Sequence, residues 1–160
     1  MSASLLRLAL YQPDIPQNAG TMLRMAACFG IAADIIEPAG FPVSDRHFRR
    51  SGMDYLDHIV IQRHNSFASF EVDRKATANR LILLTTKATV AHTQFRFQTG
   101  DILMVGRESA GVPPHVHESA DGRVLIPMHA QLRSLNVALS AAIVVGEALR
   151  QLGQFPPATE

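Results

Sequence analysis

The residues most able to do chemistry gather in three short segments. Residues 106–113 read Gly-Arg-Glu-Ser-Ala-Gly-Val-Pro. The two glycines have the spacing of a phosphate-binding loop, but Val112-Pro113 stands where such a loop needs a lysine and a hydroxyl. No ammonium can then reach a phosphate and no hydroxyl can reach magnesium, which disfavours a nucleotide triphosphatase. What remains is a turn of backbone amides with one carboxylate, Glu108, and an ordinary glycine-rich turn would account for it equally well. Residues 18–24, Asn-Ala-Gly-Thr-Met-Leu-Arg, place an amide and a guanidinium six positions apart. Arg24 stands among Met22, Leu23, Met25, Ala26 and Ala27. Such an arginine either snorkels to solvent, the commoner fate, or serves a polar site. Residues 133–136, Arg-Ser-Leu-Asn, lead into residues 137–146, which carry no charge at all.

Other chemistries find less support. Histidines His115 and His117 are two apart, but no H-E-x-x-H motif or Cys/His cluster accompanies them, so no metal is expected. No G-x-S-x-G elbow is present, and Cys28 lies among apolar residues where packing is its expected role. No G-x-G-x-x-G follows the first apolar run, which disfavours a standard dinucleotide site. The densest basic stretch, residues 44–50, holds Arg46, His47, Arg49 and Arg50. It either binds phosphates or forms a solvated helix face.

Elements that could position these residues alternate along the chain. Strands are expected over 5–11, 33–37, 58–62, 81–85, 102–105 and 124–126. A helix capped by Asn18 should run to about Phe29 and stop at Gly30. Ser44 should cap a short helix through Arg50, ended by Gly52, and Asn65 or Ser66 one to about Asp73. Pro113 and Pro114 suit the first turn of a helix to about Ser119. The longest helix should start at Ser134 and reach about Leu152. This alternation predicts an α/β fold with a single, mostly parallel sheet flanked by helices. Ligands in such sheets sit outside the carboxyl ends of strands, which is where the three segments fall.

The chain has 160 residues, 47% hydrophobic and 18% charged, with a net charge of +1. That is one domain, expected over 1–154 with a frayed tail over 155–160. Apolar runs fall far short of the ~20 residues a bilayer span needs, so no membrane association is expected. No basic leader precedes the first strand, and a single cysteine cannot form an internal disulfide; a cytoplasmic setting is expected. Thirteen of the fifteen basic residues are arginine, a bias that either phosphate recognition or a GC-rich genome would produce. In the last helix Ala138, Ala142 and Gly146 recur at i, i+4, i+8, and the first helix offers Met22, Met25, Ala26 and Phe29. Both surfaces must be buried, either in the subunit's own core or against a second copy.

Taken in this order, the three segments resemble the SPOUT superfamily of RNA methyltransferases: N-x-G-x-x-x-R at Asn18–Arg24, G-x-E-x-x-G-[LV]-P at Gly106–Pro113, and I-P-M…R-S-L-N at 126–128 and 133–136. Further patterns are similar to the tRNA (cytidine/uridine-34-2′-O)-methyltransferase subfamily. These are L-Y-x-P-x-I-P-x-N-x-G-x-x-x-R from Leu10 to Arg24, I-I-E-P-x-G-F over 35–41, R-R-x-G-x-D-Y over 49–55, and T-T-K over 85–87. The resemblance implies a C-terminal trefoil knot, a homodimer without an appended RNA-binding domain, and tRNA as partner. It implies S-adenosylmethionine as methyl donor, with Leu84, Gly106, Ile126 and Ser134 lining its site, and no metal. Arg24 would assist the ribose 2′-hydroxyl, while Asn18, Glu108 and Asn136 would hold the loops and Arg24 in place. The same resemblance admits a superfamily enzyme acting on another tRNA or rRNA nucleotide, or a module that binds RNA without catalysis. The chain departs from the subfamily at Gly146-Glu147, where relatives often carry tyrosine-glutamate, and at Ala138, where a polar residue is common.

Overall fold

The computed structural model describes residues 5–51, 53–132 and 134–158. Gly52 and Arg133, parts of two of the motifs above, lie outside the described residues, as do 1–4 and 159–160. Six strands form one sheet: β1 (Arg7–Tyr11), β2 (Ala32–Ile36), β3 (Ile61–His64), β4 (Leu81–Leu84), β5 (Ile102–Val105) and β6 (Gly122–Val124). Their order is β3-β2-β1-β5-β4-β6, and every pairing is parallel. Leu8 lies opposite both Ala33 and Leu103, so the three central strands are in register.

A parallel sheet must be covered on both faces. Leu6, Leu8 and Leu10 turn one way, onto α1 (Pro16–Phe29) and α5 (Val137–Leu152). Ala9, Tyr11 and Met104 turn the other way, onto Phe67 and Phe70 of α3 (Phe67–Thr77) and Val116 of α4 (Pro114–Ser119). On the first face, Ala33 and Ile35 pack with Phe48 of α2 (Asp45–Arg50). A bidentate Arg7–Asp34 pair at 2.9 and 3.0 Å, joined by His64 Nε2 at 2.9 Å from Asp34, ties β1, β2 and β3 together on the opposite face.

Several expected boundaries move. Helix α1 begins at Pro16, and Ile15 occupies the cap position without a side-chain bond, so Asn18 is not the cap. Proline is preorganised for the first helical turn, which starts the helix earlier and frees the Asn18 amide. Gly30 does end α1, in the left-handed conformation at φ 68°. Ser44 and Ser66 cap α2 and α3 through their side chains. Helix α5 starts at Val137 rather than Ser134, because Asn136 Oδ1 accepts from the amides of Ala138 at 2.8 Å and Leu139 at 3.3 Å. Residues 56–58 form a 3-10 turn, so β3 starts only at Ile61. Strand β6 ends at Val124, which leaves Ile126 in the loop beyond it. Cys28 is exposed rather than packed, whereas Met22 and Ala26 belong to the subunit's own core rather than to a contact surface. Phe155 meets Phe29 edge-on, with ring centroids 5.5 Å apart.

Candidate active site

A cavity of about 490 Å³ opens outside the carboxyl ends of β4 and β5 and beside the loop after β6. Leu84, Gly106, Ile126 and Ser134 all line it, each brought there by a different segment. Its size suits a ligand of cofactor dimensions, and its walls combine apolar Val105, Ile126 and Met128 with hydroxyls of Thr85, Thr86 and Ser140. Among the described residues its lining includes no lysine. Gly106 is needed by the loop itself. A Cβ at 106 would meet the Gly111 carbonyl carbon at 2.8 Å, so it would strike the loop's own backbone before any ligand. Gly111 is at φ +60°, and the Arg107 and Gly111 amides and carbonyls bond to each other at 2.8 and 3.1 Å. The loop is thereby pinched closed, and the pinch sets where Glu108 points.

Three of the expected residues form one hydrogen-bonded chain. Asn136 Nδ2 donates to Asn18 Oδ1 at 3.1 Å, and Asn18 Nδ2 donates to Glu108 Oε1 at 3.2 Å. The α5 cap, the α1 first turn and the β5 loop are joined at the cavity's edge through side chains that α1 does not need for capping. Asp14 extends the chain: its carboxylate accepts from the Glu108 amide at 3.2 Å and from the Ser109 hydroxyl. Glu108 Oε2 is buried and no N–H donates to it. Burial, with the hydrogen bond to the Asp14 side chain, pushes the Glu108 carboxyl above its ordinary range. The same bond holds Asp14 down to about 2. A proton kept on Glu108 and donated to the Asp14 carboxylate satisfies both oxygens. An acid bonded to a carboxylate would avoid two like charges at close range.

Arg24 does not line this cavity. It lies six residues along α1 from Asn18, about 9 Å at the helical rise, and faces a second hollow of about 740 Å³ with His47, Ser51, Tyr55 and Phe41. The guanidinium lies over the Tyr55 ring at 5.4 Å and within 3.7 Å of the Asp54 carboxylate. Arg46, Arg49 and Arg50 project from α2, whose His47 lines the same hollow. Arg49 is bound to Asp57 at 2.8 Å, whereas Arg46 and Arg50 make no ion pair among the described residues. No group of three or more His, Cys, Asp or Glu placed to hold a metal occurs among the described residues. Sequence reasoning missed Asp14, Tyr55 and Gln12. Only Gln12 bears a conformational sign, a positive φ of 43° just after β1, where its side chain reaches Arg107 at 3.5 Å.

Known proteins share this chain's sequence and fold. Residues 5–146 match the SpoU rRNA methylase family. A tRNA (cytidine(34)-2′-O)-methyltransferase from Beijerinckia indica subsp. indica is 64% identical over 146 residues, 91% of each chain. A solved structure described as "Structural insights into the 2-OH methylation of C/U34 on tRNA" superposes with a TM-score of 0.85 at 37% identity, over 94% of this chain and 97% of that one. The SpoU methyltransferase AviRb from Streptomyces viridochromogenes, solved with the cofactor AdoMet, gives 0.80 at 25% identity, over 95% of this chain and 62% of that one. With the match running through all six strands and through the Asn18, Glu108 and Asn136 chain, this protein belongs to the SpoU rRNA methylase family.

Proposed function

We propose that this protein transfers the methyl group of S-adenosylmethionine to the ribose 2′-oxygen of tRNA nucleotide 34, a cytidine or a modified uridine. The observation that carries the reading is the cavity at the strand ends, closed by Asn136, Asn18 and Glu108, in a chain 64% identical to an enzyme named for that reaction. That relative's name, rather than the rRNA of the family's name, decides the substrate class. Leu84, Gly106, Ile126 and Ser134 would hold the methyl donor, which supplies an electrophilic methyl group on a sulfonium. Asn18, Glu108 and Asn136 would fix the three segments around it. Arg24 would orient the 2′-hydroxyl and stabilise charge developing on its oxygen; an arginine does not give up a proton in a protein, so it acts as a cation. Arg46, Arg49 and Arg50 would grip the RNA phosphates.

Because Arg24 lines a second hollow and not the cofactor cavity, the reading includes a homodimer in which one subunit's Arg24 meets the other's cofactor. It also includes a trefoil knot, a cytoplasmic setting and a metal-free reaction. Supporting the knot, the loop after β6 is held by residues 90–92: Leu125 donates to Val90 and His92 donates to Leu125, at 2.9 and 2.8 Å. No helix among the described residues is long and apolar enough to cross a membrane.

Labelled methyl transfer to bulk tRNA, followed by mapping of the 2′-O-methylated nucleotide, tests the reading. Label confined to position 34 is expected; label on rRNA alone would overturn the substrate, and none on any RNA the enzyme. Arg24→Ala should lower turnover by about 10²–10³-fold, the usual cost of a lost charge-stabilising group, with cofactor affinity unchanged. Wild-type turnover would remove Arg24 from the mechanism.

A further inference from the structure

Arg24 is two-thirds exposed, with its side chain 64% accessible, yet its surroundings are built rather than open. Gly20, one turn earlier on α1, has no side chain to keep residues 53–55 away; a Cβ there would meet Met53 Cε at 2.8 Å. Through that gap Tyr55 reaches the helix, and its hydroxyl donates to the Gly20 carbonyl at 2.9 Å. In an α-helix the carbonyl of residue 20 also accepts the amide of residue 24, and a carbonyl has a second lone pair for a second donor. Tyr55 is thus fastened to the same turn that carries Arg24, and its ring lies beneath the guanidinium, 5.4 Å from centroid to Cζ. Asp54, the next residue, approaches the guanidinium from the side at 3.7 Å. That pair is too exposed to hold an arginine alone. The ring is the half-buried member, and burial raises the pKa of its hydroxyl against the opposing effect of Arg24, so the hydroxyl stays a neutral donor.

We infer that Tyr55 is the positioning residue of Arg24: its ring is the platform that restricts the guanidinium, and its hydroxyl fixes that platform to α1. The inference rests on the role of Arg24 read above. A long side chain at a surface samples many rotamers, whereas a group that must meet one oxygen has to wait in one place. Misplacement of a reacting group by about 1 Å can cost about 10²-fold in rate. Tyr55 does not line its own chain's cofactor cavity.

The test uses the full chain with labelled S-adenosylmethionine and tRNA. Tyr55→Leu removes the platform and should lower kcat by about 10²-fold, while KM for tRNA and cofactor affinity hardly move. Tyr55→Phe keeps the ring and should recover most of that loss. Independently of turnover, NMR of the Arg24 Nε–H group, assigned by its disappearance in Arg24→Ala, reads the contact itself. Its ring-current shift should persist in Tyr55→Phe and vanish in Tyr55→Leu, a change that a variant merely less stable but still folded would not show. A loss confined to KM, no recovery in Tyr55→Phe, or a ring-current shift unchanged by Tyr55→Leu would each overturn the inference. Should Arg24→Ala turn over like wild type while the shift behaves as expected, the role of Arg24 fails and the contact stands.

Discussion

Among single residues, the Asp14–Glu108 pair makes the sharpest demand on protonation. Glu108 accepts from Asn18 with one oxygen while its other oxygen is buried without a partner, so the chain from Asn136 to Asp14 favours Glu108 neutral and Asp14 charged. Glu108 is raised above its unfolded value, mainly by burial. A group of that sign stabilises fully below the ordinary glutamate range, and its contribution is lost as pH rises through the raised value. Asp14, held down to about 2, stays ionised throughout that window. Glu108→Gln supplies the same shape with an amide donor and no titration. Melting curves should show wild type losing stability relative to Glu108→Gln from mildly acid to neutral pH. A hydrogen bond to a charged group contributes about 1.5–3 kcal/mol, and each kcal/mol corresponds to roughly 2–4 °C at this chain length. Parallel curves for the two proteins would mean that Glu108 is ionised in the fold. None of this was legible from the sequence, where Asp14 is only a residue between two prolines. Burial and partner are tertiary facts, and they decide which of two carboxyls keeps the proton.

At the scale of elements, local chemistry was readable and competition between neighbouring signals was not. Ser44, Ser66, Gly30 and the proline-led α4 act as their residue types predict. The misplaced starts are those where two signals lie close together: Pro16 overrides Asn18, and Asn136 overrides Ser134. The displaced asparagine is then free for the site, so a wrong cap concealed the residue's other use. Strand β3 is an edge strand whose register with β2 is set by pairing, which no local pattern encodes. The pinched loop after β5 gives a test of its own. Gly106→Val would drive a side chain into the Gly111 backbone, open the loop and detach Glu108 from Asn18. Calorimetry should show S-adenosylmethionine affinity falling at least about tenfold, roughly 1.4 kcal/mol; unchanged affinity would place the cofactor elsewhere. Helix α2 gives another. Because Asp57 already neutralises Arg49, Arg46 and Arg50 are the arginines left for phosphate. Arg46→Ala/Arg50→Ala should flatten the salt dependence of tRNA binding by about 0.7–0.9 log units for each phosphate no longer neutralised, and Arg49→Ala should flatten it less. Equal slopes for all three proteins would make α2 a solvated face.

For the whole molecule, the apolar residues left outside the core point to what completes the site. The stripe of small residues on α5 divides between environments: Ala138 is buried in the subunit, Gly146 half-buried, and Ala142 exposed. Beside Ala142, Leu139 is 58% and Ile143 42% accessible, and Leu135 just before the helix is 40%. These positions repeat at i, i+4, i+7 and i+8, which is one face of a helix, and α1 packs beside α5 with Met25 only partly covered. Met22 and Ala26 are already used inside the subunit, so an interface between copies would centre on α5 and on the outer side of α1, where Arg24 projects. A two-fold axis there makes the interface self-complementary and could bring each Arg24 towards the cavity of the other copy, so that a single kind of chain supplies both halves of the site. Ala142→Glu is the clean probe. In an isolated subunit the new carboxylate faces water and costs the fold little, whereas in the interface it is an unpaired buried charge worth about 3–5 kcal/mol. Light scattering at micromolar concentration should give a dimer for wild type and a monomer for Ala142→Glu. The helical circular dichroism should be retained and methyl transfer abolished, while the separate cavity still binds S-adenosylmethionine. A fully active monomer, wild type or variant, would sink both the interface and the shared site, because Arg24 would then have to reach the reacting ribose from a hollow that its own subunit's cofactor cavity does not include.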